Sequence, residues 1–195
     1  MKQRRVLIGL GAAVILAATL AFAFHRPFPS DRTPEGAYAR IAKAIAEQHP
    51  REMFPYLEQD AQDAAFSIRD MRKAACDAIE KNYPAGAERE ALLATYEPDA
   101  KTADAPDEML LLGARHGFIA RLRVDLSGAK SVEVAGDRAT VTTARGTRYS
   151  FRKRPNGIWG LTLFTAEMLA DSERAARDLA SVRAAADDYA RAKRN

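Results

Sequence analysis

Side chains able to do chemistry are few in this 195-residue chain, and they are scattered. The three histidines, His25, His49 and His116, stand far apart, with no H-x-x-x-H among them. Cys76 is the only cysteine, so neither a C-x-x-C motif nor an internal disulfide can form. It sits beside Ala75 and Ile79 in a helical pattern and reads as a small buried hydrophobe. No carboxylate cluster falls at ligand spacing, and no glycine-rich loop offers a phosphate cradle. The sequence therefore supports neither a metal site nor a cofactor. Ser127-Gly128-Ala129-Lys130 matches S-x-x-K literally, but that motif works when the serine opens a helix and the lysine lies one turn on. Here it enters a strand pattern, and the match is coincidental. His116, with Asp125 nearby, is the one pair that could do acid–base work if both converged in a pocket. A surface or helix-capping role is commoner for such a histidine.

The stretch that would position these groups runs from Lys130 to Phe164. Val132 and Val134 alternate with Ser131 and Glu133, Val141 is flanked by Thr140 and Thr142, and Tyr149 and Phe151 bracket Ser150. Trp159, Leu161 and Leu163 fall on one face. This period-two pattern predicts four short strands with one buried face. Turns fall at Gly136-Asp137, Arg145-Gly146-Thr147 and Pro155-Asn156-Gly157. A lone sheet must cover its apolar face, and amphipathic helices are the available cover. Tyr38, Phe54, Tyr149, Phe151 and Trp159, with His116, are candidates to line an apolar pocket between sheet and helices. The simpler account is that the five aromatics are the core.

The chain opens with Lys2, Arg4 and Arg5, then 19 uncharged residues from Val6 to Phe24. As a helix this run would be roughly 28 Å long, close to the hydrocarbon thickness of a bilayer. It reads as an uncleaved signal anchor or, with Ala21-Phe22-Ala23 as a cleavage site, as a signal peptide. Either way the flanking charges place the N-terminus in the cytoplasm and the domain outside, on the periplasmic side if bacterial, or secreted after cleavage at Ala23.

The expected organisation is a signal anchor or signal peptide over 1–24, a proline-rich spacer over 25–33, an α+β domain over 34–164 and a C-terminal helix over 165–195. Thr33 caps the first helix, Pro34 opens it, and Tyr38, Ile41, Ala42 and Ile45 form its stripe. Asp60 to Tyr83 reads as a long helix, Ala85 to Tyr96 as a short one and residues 97 to 107 as a loop. Glu108 to Leu122 reads as helix broken at His116-Gly117. The fold class is α+β: a membrane helix, several helices on a curved antiparallel meander of about four strands, and a long C-terminal helix.

The sequence has 30 basic and 26 acidic residues, and removing the three at the N-terminus leaves 27 against 26. The basicity is mostly a topology signal, and no nucleic-acid motif is present. Within the domain, Asp31–Gly113 holds 17 acids and 10 bases, whereas Ala114–Arg154 holds 3 acids and 10 bases. An acidic helical half lying against a basic sheet half explains this. A sharper reading is a basic face of Arg145, Arg148, Arg152, Lys153 and Arg154 that meets anionic lipid or an acidic partner.

The opening TPEGAYARIAKAIAEQHPREMFPYLEQDAQ and the sheet segment VEVAGDRATVTTARGTRYSFRKRPNGIWGL resemble the nuclear-transport-factor-2-like superfamily. The resemblance implies a curved sheet wrapped by helices into a cone, serving ligand binding, dimerisation or, in ketosteroid-isomerase-like and dehydratase-like members, acid–base catalysis. No catalytic pattern of those enzymes maps onto this chain, and the long helical stretch over Asp60–Leu122 and the helix after the sheet depart from the family pattern. The expected function is a membrane-tethered extracytoplasmic binding or interaction domain without a catalytic site. Its partner would be a protein, a second copy or a small apolar ligand. A small-molecule isomerase or dehydratase pocket and an anionic-lipid surface are the alternatives.

Overall fold

The computed structural model describes residues 28–194. The hydrophobic run Val6–Phe24 and the cleavage site at Ala23 lie outside the described residues; among the described residues, no helix is long and apolar enough to cross a membrane.

Helix α1 spans Pro34–Ala46 and starts where the sequence says it should. Thr33 is extended, and its Oγ1 accepts a hydrogen bond from the Gly36 amide at 3.1 Å, satisfying one of the first turn's free donors. Ala37, Tyr38, Ile41, Ala44 and Ile45 form its buried stripe. A 3-10 helix, Pro50–Tyr56, follows and buries Met53 and Phe54. Helix α2, Gln59–Asn82, is 24 residues long, and α3 is Ala87–Ala100.

Residues 97 to 107 are not the loop expected. Helix α3 continues through Pro98, held by buried Tyr96 and Asp99, and only a short connection separates it from α4, Ala105–His116. Pro98 removes a single amide donor near the helix end, and that loss is smaller than the gain from burying its neighbours. Asp104 caps α4 by accepting from the Asp107 amide at 3.0 Å. Gly117 then adopts the left-handed conformation (φ 69°), which a side chain resists, and separates α4 from α5, Phe118–Asp125.

The sheet is a meander in the order β1 (Ala129–Ala135), β2 (Arg138–Thr143), β3 (Arg148–Lys153), β4 (Trp159–Leu161). Its three hairpins turn at the three predicted places. Ala139, Val141, Tyr149, Phe151 and Leu161 are buried on the helix side. Two expectations fail here. Strand β1 has no fully buried residue, because it is an edge strand that α1 covers only in part: Val132 packs half-buried against the core, and Val134 is 58% exposed. Leu163 is 44% exposed, because β4 ends at Leu161 and the chain turns into the last helix.

Beyond β4, Leu57 forms a parallel bridge with Leu161, and the Glu58 amide donates to the Leu161 carbonyl at 3.0 Å. Gly160 permits this approach: a Cβ there would lie 2.6 Å from the Leu57 carbonyl oxygen.

Helix α6, Thr165–Ala192, lies against α2. Their contacts advance together, from Glu58 with Thr165 through Arg72 with Asp178 to Tyr83 with Val182, so the two helices run in the same direction. A main core joins the sheet, α1, the 3-10 helix, α4, α5 and the first half of α2. A second cluster joins the far ends of α2 and α6 to Tyr96 of α3, and Cys76 is buried in it.

Candidate binding site

Two adjoining depressions, about 440 Å³ and 390 Å³ in volume, lie along the outer side of α1. They share Ala42, Ala46 and Leu126, and Ile45 and Tyr38 extend the floor. One wall is α1, whose alanines leave the space open. The other is the segment Leu126–Ala129, which leads from α5 into β1. Tyr38 ties the two walls: its hydroxyl bonds to the Ser127 carbonyl and accepts from the Ser127 amide at 3.2 Å. Burial raises the Tyr38 pKa, so the hydroxyl stays protonated and able to donate. Glu35 stands at one end of the groove and Arg123 at the other.

The groove opens at the start of β1, whose outer edge has no strand beside it among the described residues. The two-residue hairpin pairs Ala135 with Arg138 and Glu133 with Thr140 through the ladder, which leaves the backbone N–H and C=O of Val132 and Val134 directed away from β2. The side chains of these two valines stand opposite buried Val141 and Ala139, on the core side of the sheet. Lys130 and an irregularity between Ala129 and Ser131 interrupt the first residues of the strand. The open length is therefore Val132–Ala135.

Of the predicted pocket residues, only Tyr38 reaches this groove. Phe54, Tyr149, Phe151 and Trp159 pack into the main core, with Tyr149 5.5 Å from the Tyr38 ring. The Trp159 Nε1 donates to the Arg32 carbonyl at 3.1 Å. Burial pushes the Tyr149 pKa up to about 12, and among the described residues its hydroxyl has no hydrogen-bond partner.

His116 lies apart, and its partner is not Asp125. Its Nε2 is 2.6 Å from an oxygen of Asp171 on α6, and its ring stacks on Phe118, which stacks in turn on Phe164. Arg174 holds the other Asp171 oxygen at 3.2 Å. The pair joins the end of α4 to the first turns of α6.

Of the predicted basic face, Arg148 and Arg152 share the solvent side of the sheet, and four of the five residues have partners within the chain. Arg145 bonds the Val124 carbonyl, Arg148 lies 3.4 Å from Glu133, and Arg154 donates to the Pro55 carbonyl at 2.7 Å. Arg152 is 2.6 Å from buried Glu58, and Lys153 is exposed. Among the described residues, no group of three or more His, Cys, Asp or Glu side chains could hold a metal ion.

Sequence reasoning missed the groove because its floor is alanine, which carries no chemical signature. It also missed what the edge position of β1 makes available, although a meander's first strand is always an edge. Family models, curated proteins and solved structures provide no match to this chain.

Proposed function

We propose that this protein is a non-enzymatic binding module, carried outside the cytoplasm on its N-terminal hydrophobic segment, that captures an extended segment of a partner polypeptide along β1. The observation that carries this reading is the edge of β1, which among the described residues has no strand beside it and carries an exposed valine. Val132 and Val134 present free backbone groups outward and apolar side chains toward the core side, and Val134 is more than half exposed. An added strand would satisfy those groups and continue the apolar face, laying an alternate side chain toward the Ala42–Leu126 groove. Such edges are normally blunted, and here only the first residues of the strand are. The resemblance to the nuclear-transport-factor-2-like superfamily points toward ligand binding as well, but the reading rests on the edge.

Short random peptides displayed on phage and selected against the full chain in detergent micelles test it. Enriched peptides are expected to alternate apolar and polar residues. Val134→Pro removes an outward amide that the β1–β2 ladder does not use, and it is expected to weaken their binding by about tenfold or more with the fold retained. Enrichment without alternation, or binding that Val134→Pro leaves unchanged, would overturn the proposal. A dimer that Val134→Pro splits would assign the edge to a second copy of the chain instead.

A further inference from the structure

The solvent side of the sheet, opposite the helices, carries a second arrangement with no role in the groove. Arg138 of β2 stands across from Arg152 of β3, and in the next row Thr140 stands across from Ser150. Residues two apart on a strand share a face, so the four form one patch. Thr162 and Glu58 complete the rim: the Thr162 amide and Oγ1 donate to the Ser150 carbonyl at 3.0 and 3.1 Å. These six, with Ala139 and Phe151, line a depression of about 270 Å³.

The charges within it are unevenly matched. Arg152 is 2.6 Å from Glu58 and 3.8 Å from Asp60. Glu58 is buried and also accepts from Thr165 Oγ1 at 2.8 Å, so it is fixed in place. Arg138 has the same charge directly opposite Arg152, and like charges in that relation repel. Among the described residues, neither the Arg138 guanidinium nor the Thr140 and Ser150 hydroxyls have a side-chain partner. A guanidinium with free donors, beside two free hydroxyls in a concave site, matches the acceptor geometry of an oxyanion.

We propose that this cradle binds a small oxyanion, the phosphate or carboxylate group of a small molecule, with Arg138 as its charge partner and Thr140 and Ser150 as hydroxyl donors. Glu58 neutralises Arg152 and keeps the site from holding two uncompensated cations when empty. The depression exceeds the size of such a group and leaves room for a small organic remainder.

Inorganic phosphate and acetate, titrated separately into the full chain in micelles and followed by backbone amide shifts, test the proposal. Saturable shifts confined to residues 138–140 and 150–152 are expected. Tighter binding of phosphate assigns the ligand group as a phosphate, and tighter binding of acetate assigns it as a carboxylate. Arg138→Gln is expected to weaken binding tenfold or more, and Arg148→Gln, on the same face but paired with Glu133, to leave it unchanged. Glu58→Gln removes the competing carboxylate, frees Arg152 and should strengthen binding several-fold. If that buried change prevents folding, Thr140→Val, on the solvent side, should still weaken binding. Shifts spread over many arginines, an unaltered affinity in Arg138→Gln, or weaker binding in a folded Glu58→Gln would overturn the proposal.

Discussion

Glu108 is fully buried on α4, and Asp99, nearly as buried, lies beside it at the end of α3. Arg115 holds both Asp99 oxygens, at 2.9 and 3.1 Å, while Thr102 Oγ1 reaches Glu108 at 3.1 Å. One guanidinium cannot neutralise two carboxylates, so one keeps its proton. Burial and then the adjacent Asp99 push the Glu108 pKa up to about 8, against the weaker opposite pull of Thr102 and Arg115. Because the folded state holds this proton more tightly than the unfolded chain, its contribution is fully present below the ordinary glutamate range. It declines as pH rises and is lost above about 8. Glu108→Gln mimics the protonated form. The wild type is expected to lose more stability than the variant between about pH 5 and pH 9, by on the order of 2–4 kcal/mol, read as a larger fall in melting temperature. Parallel curves for the two proteins would show that Glu108 is ionised throughout. None of this was legible in the sequence. Asp99 and Glu108 fall in the stretch read as an acidic loop or at its border, and acidic loops are solvated; only the continuation of α3 through Pro98 buries them. Tyr38 was legible as an apolar residue of α1, but its use in tying Ser127 to α1 was not, since that contact joins residues 89 apart.

At the scale of elements, local signals decided most of what could be read. The Thr33 cap, Pro34, the break at Gly117 and the three hairpin turns depend on residues within one turn of each other, and each stands where the sequence puts it. That the aromatics form a core between helices and sheet also held; what failed were inferences that needed one particular neighbour from elsewhere in the chain. The alternation in β1 is real, yet it cannot say whether a helix covers that strand. His116 drew attention to Asp125 because the two are close in sequence, while its partner Asp171 is 55 residues away on another helix. The His116–Asp171 contact acts as a clamp between α4 and α6. Asp171 is buried, and without His116 its carboxylate keeps, among the described residues, only Arg174, whose side chain is mostly exposed. His116→Ala is expected to cost about 1–3 kcal/mol of stability. The His116→Ala, Asp171→Ala double-mutant cycle in chemical denaturation should give a coupling of about 1 kcal/mol or more. Strictly additive single changes would mean that the short contact contributes nothing to the fold.

For the molecule as a whole, the two cores have different weight. Among the described residues the main core holds 26 buried residues, including Phe118, Tyr149, Phe151 and Trp159, whereas the second holds eight, including Ile79, Tyr83 and Tyr96. With fewer buried side chains the second cluster removes less apolar area from water and contributes less in total, at about 25 cal/mol for each square ångström. Helix α6 spans both clusters, with Met168 and Ala175 in the first and Leu179, Val182 and Ala186 in the second. The segment near Arg72 marks the division: its guanidinium lies over the Tyr96 ring and 2.6 Å from Asp178. The end of α6 past Asp178, with the end of α2 and the body of α3, should therefore open as a unit before the sheet does. Native-state hydrogen exchange is expected to show α6 amides after Asp178 exchanging through a smaller opening free energy than those of β2 and β3. Val182→Ala should speed exchange across that unit while leaving β2 and β3 near their wild-type protection. Equal protection along all of α6 and the sheet would mean one cooperative body. The acidic helical half and the basic sheet half, evident in the sequence, act at this same scale: Arg115 on Asp99 and Arg152 on Glu58 each join a residue of one half to a buried carboxylate of the other. Charge segregation along the chain thus becomes charge pairing in space: Arg152 on Glu58 ties the sheet to the start of α2, and Arg115 on Asp99 ties α4 to the end of α3.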